Sequence, residues 1–109
     1  MSYDVIATRP FERKLKKLSK KYISLKDDLD IMIDELSVNP VMGSPLGMNC
    51  FKIRMAITSK GEGKSGGARL IIHVKFTKSA VFLLDIYDKS EQVNISETEL
   101  KWMIKMLIN

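Results

Sequence analysis

The chain has 109 residues, of which 45% are hydrophobic, and it carries a formal net charge of +5. This length suits one domain around one hydrophobic core, and the apolar content excludes a disordered chain. No apolar run approaches the roughly 18 residues that span a bilayer, and no signal-peptide pattern opens the sequence, so we expect a cytoplasmic protein without a membrane partner. The single cysteine, Cys50, has no companion residues at metal-ligand spacing, so we expect neither a metal nor a cofactor.

The positive charge is concentrated near the N-terminus. Eight of the 18 Lys and Arg residues lie between Arg9 and Lys26. This asymmetry favours an anionic partner, because cations held near a polyanion release its counterions and give salt-sensitive binding. Lys16 and Lys17 are therefore candidate RNA-binding residues, although such a run is also typical of a solvated helix face.

The N-terminal half predicts a strand followed by two helices. Residues 3–8 form a short β-prone run that ends before Pro10. Apolar residues then recur at helical spacing from Phe11 to about Lys21, and again from residue 25 until Pro40 stops the pattern. The segment 41–49 contains two glycines and a proline and has no period, so we expect a connecting loop there.

The C-terminal half changes to the two-residue period of β-strands. Alternating segments over residues 51–58, 69–76 and 81–87 predict three strands, and a capping box at Ser96 begins a last helix. The predicted order is β-α-α-β-β-β-α. We expect one α+β domain over residues 1–109, with a mainly antiparallel four-stranded sheet and the helices packed on its apolar face.

Alternation also predicts which side chains share the other face of this sheet. This face would carry Lys52, Arg54, Arg69, His73, Lys75, Asp85 and Tyr87, with Lys60 and Lys64 in the adjoining loop. Any antiparallel sheet needs polar residues on its solvent side, so an ordinary surface is the alternative interpretation. The combination of clustered cations with an imidazole and a phenol instead favours a site for a phosphate-containing substrate.

Such a face suits RNA cleavage without a metal. The 2′-hydroxyl can attack the neighbouring phosphate if a base removes its proton, an acid serves the leaving oxygen, and cations stabilise the extra negative charge. Residues 61–67 contain a GKS triplet, but they lack the spacing of a phosphate-binding loop and lie between strands.

The sequence resembles the RelE/ParE toxin superfamily, particularly its HigB-like and RelE-like branches. The resemblance rests on the predicted strand order and on the stretches FKIR at 51–54, KGEGKSGGARLI at 60–71 and LLDIYDKSE at 83–91. It implies a type II toxin that arrests translation by cutting mRNA on the ribosome, and a cognate antitoxin that covers the active groove. It also implies that Arg69 contacts the scissile phosphate and that Lys52 and Arg54 take part in binding or proton transfer.

The resemblance leaves the general base open. RelE itself uses a tyrosine in the C-terminal helix region, where this chain has Ser96, and other relatives use a histidine or tyrosine near the C-terminus. Tyr87, His73 or a loop lysine could fill the role here. Lys60, Lys64, Lys75 and Lys89 complete the candidate RNA-binding residues. Two alternative functions remain: a ParE-like toxin that inhibits gyrase without nuclease activity, and a non-catalytic RNA-binding module.

Overall fold

A computed structural model of the chain describes residues 2–108. The elements follow in the order β1 (Asp4–Ala7), α1 (Arg9–Lys21), α2 (Leu25–Val38), β2 (Ser44–Gly47), β3 (Cys50–Met55), β4 (Ala68–Lys75), β5 (Ala80–Asp88) and α3 (Glu97–Ile108). Single 3₁₀ turns follow β3 at Thr58–Lys60 and β4 at Phe76–Lys78. Within residues 2–108, no helix has the length and apolar content needed to cross a membrane.

The first helix begins where the sequence predicts it. Thr8 is its N-cap, and the Thr8 hydroxyl accepts a hydrogen bond from the backbone N–H of Phe11 at 3.4 Å. Pro10 lies in the first turn, where a missing N–H costs nothing because that group has no partner within the helix. The side chain of Phe11 is fully buried and fixes the helix against the sheet.

The strands form one sheet in the order β1-β5-β4-β3-β2. β1 runs parallel to β5, and every other neighbouring pair is antiparallel. The predicted α+β class with a mainly antiparallel sheet is therefore confirmed. The sheet has five strands, because the predicted loop over residues 41–49 contains the short edge strand β2.

The pairing of β2 with β3 explains why the glycines and proline do not prevent a strand. Ser44 is paired with Lys52, and Pro45 lies on an edge strand, where a missing backbone donor is tolerated. Gly43 has a φ of +85°, and a Cβ at this position would collide with the carbonyl oxygen of Lys52. Glycine is therefore required for the chain to enter β2 so close to β3.

The helices cover both faces of the sheet rather than the single face expected from alternation. α1 and α2 pack over one face, which carries Leu70 and Ile72 of β4. The opposite face carries Ile71, which packs with Leu100 of α3 and Leu84 of β5. β4 is thus a central strand with apolar contacts on both sides, and a two-residue period in its sequence does not reveal the second covered face.

A β-bulge in β5 sets which residues face α3. Ile71 is paired with Asp85 and Ile72 with Leu83, so Leu84 is an extra residue in β5. Leu84 packs in the cluster on the α3 side. Asp85 and Tyr87 lie opposite Ile71 and Arg69, on the face that alternation predicted, but both are buried rather than exposed to solvent.

Candidate functional site

A cavity of about 260 Å³ lies beside the C-terminal end of β3 and the N-terminal end of β4. We call it the cationic cavity. Its lining residues are Ser44, Lys52, Arg54, Ser65, Arg69, Lys89, Val93 and Asn94. Four of these side chains are cations and none is a carboxylate, so the cavity is a focused region of positive potential.

The register of the sheet brings the cations together. Arg54 of β3 is paired with Arg69 of β4, which is paired with Tyr87 of β5. Lys52 lies two residues before Arg54 and therefore shares its face. The predicted group Lys52, Arg54 and Arg69 is thus assembled at one end of the sheet, beyond the part of this face that α3 covers.

The guanidinium of Arg69 is held by the loop that precedes β4. Its Nη1 donates to the carbonyl oxygens of Lys64 at 3.0 Å and Ala68 at 3.1 Å, and its Nη2 donates to that of Ser65 at 3.0 Å. A guanidinium has five N–H donors, so two are left for a ligand. Arg69 is only 5% exposed, and these contacts fix its orientation before any substrate binds.

Gly67, the second glycine of the pair before Arg69, is required for a steric reason. A Cβ at Gly67 would collide with the carbonyl oxygen of Met55 at the end of β3. Only glycine allows the loop to approach β3 this closely, and this approach places the carbonyl groups of Lys64 and Ser65 around Arg69.

Residues 89–95, which we call the strap, cross the cationic cavity from β5 toward α3. Lys52 Nζ donates to Asn94 Oδ1 at 2.9 Å, and the Tyr87 hydroxyl donates to the Val93 carbonyl oxygen at 3.3 Å. Sequence analysis missed Ser44, Ser65, Val93 and Asn94 as lining residues. No motif marks these four positions, and only the pairing of β2 and the path of the strap bring them to the site.

Tyr87 adjoins Arg69 but does not line the cationic cavity. Its side chain is buried beneath the strap and is 4% exposed. Burial raises the pKa of the Tyr87 phenol, Asp85 raises it further, and Arg69 opposes the shift. The phenol therefore stays protonated at neutral pH, which disfavours it as a general base.

His73 lies on the same face of β4 but far from the cationic cavity. Four residues separate it from Arg69, which corresponds to about 13 Å along a strand. Its Nδ1 is 3.5 Å from the Sγ of Cys50, and burial lowers the pKa of the imidazole. Burial also raises the pKa of the Cys50 thiol to about 11, so the structure gives this pair no place in the cationic site.

Lys60 does not face the cationic cavity, which corrects its prediction as an RNA-binding residue. Its Nζ donates to Gly66 O at 2.7 Å and to Asp88 Oδ1 at 2.9 Å, and its side chain is 11% exposed. Asp88 is fully buried and also accepts hydrogen bonds from Tyr22 and Ser90. Lys60 is thus committed to an internal ion pair that joins the loop to β5 and α1.

The other predicted RNA-binding lysines are spread over the surface. Lys89 lines the cationic cavity, whereas the exposed Lys64 side chain lies beside α2. Lys75 is half-buried at the far end of β4. Lys16 and Lys17 are exposed on α1, outside the cationic cavity. Of the six lysines, the structure therefore places only Lys89 at the site.

Solved structures of RelE toxins share this fold. A double arginine-to-alanine mutant of the E. coli toxin RelE in the free state matches with a TM-score of 0.66 at 19% identity, over 98% of this chain and 99% of that one. The intact E. coli RelBE toxin–antitoxin complex matches with a TM-score of 0.62 at 21% identity, over 80% and 96%. The RelBE2 toxin–antitoxin complex from Mycobacterium tuberculosis matches with a TM-score of 0.61 at 23% identity, over 81% and 92%.

The family comparison covers nearly the whole chain. Residues 5–107 match the family described as the RelE toxin of the RelE/RelB toxin–antitoxin system. This match confirms the resemblance drawn from the glycine-rich entry to β4 and from the residues that end β5. The chain therefore belongs to the RelE toxin family and is the toxin component of a type II toxin–antitoxin system.

Proposed function

We propose that this toxin is a metal-independent endoribonuclease that cuts mRNA on the ribosome in the cytoplasm and so arrests translation. The observation that carries the proposal is the cationic cavity, in which four cations and no carboxylate converge. A phosphodiester is the ligand whose charge this lining complements, and RNA carries the 2′-hydroxyl needed for cleavage without an external nucleophile.

The proposed reaction is an intramolecular transesterification. The 2′-oxygen loses its proton to a base and attacks the adjacent phosphorus, and the bond from phosphorus to the 5′-oxygen breaks. The leaving 5′-oxygen takes up a proton, which gives a 2′,3′-cyclic phosphate and a 5′-hydroxyl. Negative charge grows on the non-bridging oxygens during the attack, so fixed cations near them lower the barrier.

We assign charge stabilisation to Arg69 and Arg54. A guanidinium is a permanent cation with donors in a fixed planar fork, which suits charge stabilisation rather than proton transfer. The two unused N–H donors of Arg69 suit a bidentate contact with phosphate oxygens. Its immobilisation by three carbonyl groups supports this role, because a prearranged donor needs little reorganisation during the reaction.

We assign proton transfer to Lys52 and Lys89, since an ammonium group can exchange a proton and both side chains line the cavity. Lys52 is held by Asn94 at 2.9 Å, which fixes the position of its Nζ. Tyr87 is disfavoured as the base by its raised pKa, and His73 by its distance from Arg69.

We propose a cognate antitoxin as the protein partner. The family is described as one half of a toxin–antitoxin system, and two of the similar structures are toxin–antitoxin complexes. An antitoxin that places carboxylates over the cationic cavity would neutralise the charges that bind RNA. The formal net charge of the chain, +5, supports both this partner and a ribosome-bound mRNA.

The test is inducible expression followed by mapping of mRNA 5′ ends, with and without co-expression of the adjacent antitoxin gene. We expect growth arrest and new 5′-hydroxyl ends within translated regions, both suppressed by the antitoxin. Arg54→Gln should reduce the cuts strongly. Lys75→Gln is the matched control, because it removes a cation from the far end of the same face of the sheet.

Two results would contradict the proposal. If transcripts stayed intact during growth arrest and the toxin inhibited supercoiling by purified gyrase, the protein would be a gyrase inhibitor instead. In an assay with purified toxin and ribosomes, cleavage should persist after dialysis against a chelator when only the Mg²⁺ that the ribosome needs is added back. A requirement for a further metal would disprove the assignment of charge stabilisation to arginine.

A further inference from the structure

We propose that a second cavity, between α1 and the strap, receives a nucleotide of the same RNA strand that the cationic cavity holds. This inference rests on the proposed endoribonuclease function and adds a binding site to it. The cavity has a volume of about 600 Å³, which lies within the range of pockets that hold a small organic ligand. We call it the α1 cavity.

One wall of the α1 cavity is a face of α1 that carries lysines. The spacing from Lys14 to Lys17 is three residues and from Lys17 to Lys21 four, so these lysines project from the same side of the helix. Lys20 also lines the cavity. The remaining polar lining consists of Glu91 and Gln92 of the strap and of the buried Asp88 of β5. The cavity is thus lined both by cations and by hydrogen-bond acceptors.

Only part of this positive charge is neutralised within the protein. Lys14 is paired with the buried Asp85 at 2.7 Å, and Lys21 is paired with Glu91 at 3.0 Å. Asp88 lies 3.8 Å from Lys21 and is itself paired with Lys60 at 2.9 Å. Within residues 2–108, Lys17 and Lys20 have no ion-pair partner, and both are exposed. The two unpaired lysines therefore give the α1 cavity its surplus charge, and a phosphate group would complement them.

Apolar groups also line the α1 cavity. These are Leu18, which is partly exposed, and Ile86 and Tyr87, which are buried. A nucleobase can pack on such a surface while its phosphate stays near the lysines. Gln92 Nε2 donates to the Asn94 carbonyl oxygen at 3.0 Å, so its amide oxygen is left as an acceptor for the amino groups of a base.

The strap separates the α1 cavity from the cationic cavity, and its residues contribute to both. Lys89, Val93 and Asn94 line the cationic cavity, whereas Glu91 and Gln92 line the α1 cavity. An RNA strand that places its scissile phosphate at Arg69 and then crosses the strap reaches Lys17 and Lys20. This continuity favours RNA over an acidic peptide as the occupant.

The test compares the binding of short and long single-stranded RNA. The probes are fluorescent, fully 2′-O-methylated RNAs of about three and about eight nucleotides, which cannot be cut by 2′-oxygen attack and which bracket the size of a single site. The test variant is Lys17→Gln/Lys20→Gln. The control is Arg9→Gln/Arg13→Gln, which removes the same charge from exposed positions of α1 outside the cavity.

We expect the test variant to bind the long probe about tenfold more weakly than the wild type. The salt dependence of its affinity should correspond to the release of about one to two fewer counterions. Its binding of the short probe should remain within about twofold of the wild type, as should the control's binding of both probes. Circular dichroism and thermal unfolding should show that both variants are folded.

Three results would overturn the inference. Equal weakening in both double variants would show non-specific attraction to α1. An unchanged affinity for the long probe, with weakened binding of a Glu-rich peptide, would show that the cavity receives protein instead. If the test variant lost affinity for the short and long probes equally, Lys17 and Lys20 would not bind a separate nucleotide. By contrast, failure of the wild-type protein to bind either RNA would contradict the proposed function itself.

Discussion

Arg54 and Arg69 lie directly opposite each other on neighbouring antiparallel strands. Like charges in this arrangement destabilise a sheet, and no carboxylate in the lining of the cationic cavity offsets them. The fold thus tolerates a repulsion that a bound phosphate would relieve. Removing one of the two charges should therefore change stability and activity in opposite directions.

Arg54→Gln should stabilise the free toxin while reducing RNA cleavage. Removing the repulsion should raise the free energy of unfolding by about 0.5 kcal/mol, because Arg54 is exposed and water screens the charge. The loss of one cation should lower the cleavage rate by at least about tenfold. Urea unfolding and a ribosome-based cleavage assay measure the two effects; a variant that is less stable than the wild type would refute the repulsion.

Arg69→Ala should abolish growth arrest and also weaken the fold. The variant leaves the carbonyl oxygens of Lys64, Ala68 and Ser65 without their donor, which we expect to cost about 2 kcal/mol of unfolding free energy. Arg69→Lys keeps the charge but not the fork of donors, and it should remain folded with strongly reduced cleavage. Full toxicity of a folded Arg69→Lys variant would remove Arg69 from the proposed mechanism.

Lys60→Gln should reduce stability rather than RNA affinity. Lys60 is nearly buried and paired with Asp88, so its replacement leaves the carboxylate with fewer donors and should cost about 2 kcal/mol of unfolding free energy. Lys78→Gln, which changes an exposed lysine in a 3₁₀ turn, is the control and should cost less than about 0.5 kcal/mol. If folded Lys60→Gln lost RNA binding selectively, Lys60 would be an RNA-binding residue, as the sequence predicted.

Asp88→Asn should change how stability depends on pH. Burial alone would raise the pKa of Asp88, but hydrogen bonds from Tyr22, Lys60 and Ser90 outweigh it and hold the pKa well below its ordinary value. The ionised form therefore stabilises the native state fully above about pH 4, and this contribution is lost as the pH falls toward the lower native pKa.

The measurement is urea unfolding of the wild type and Asp88→Asn between neutral and acidic pH. The wild type should be more stable at pH 7, and the difference should shrink as the pH decreases below about 4. Comparing the two proteins cancels the contributions of Asp28, whose pKa is also lowered, and Asp85, whose pKa burial raises. A difference that is constant with pH would contradict the assignment.

His73→Asn should leave RNA cleavage within about twofold of the wild type. The imidazole lies about 13 Å along β4 from Arg69 and packs against Cys50, so it cannot reach a phosphate held at the cationic cavity. A pH–rate profile provides a second check, because the wild type and the variant should show the same profile. Loss of activity in a folded variant would make His73 the missing general base.

The sequence by itself determined the order of the helices and the main strands, and all four cations that line the cationic cavity were among its candidate residues. Both depend on local periodicity: residues two apart share a strand face, so Lys52 and Arg54 had to lie together. The glycine-rich entry to β4 also distinguished Arg69 from the other arginines, because a motif of this kind is local in the chain.

Only the tertiary structure decided which neighbours each of these residues acquires. Asp85 is buried beside Lys14 of α1, and Tyr87 is buried in the cluster that contains Leu100 of α3. The path of the loop turns Lys60 toward Asp88. The strap brings Asn94 to Lys52 from 42 residues away in sequence. Such contacts follow from register, loop path and long-range packing, which the period of a single segment does not encode.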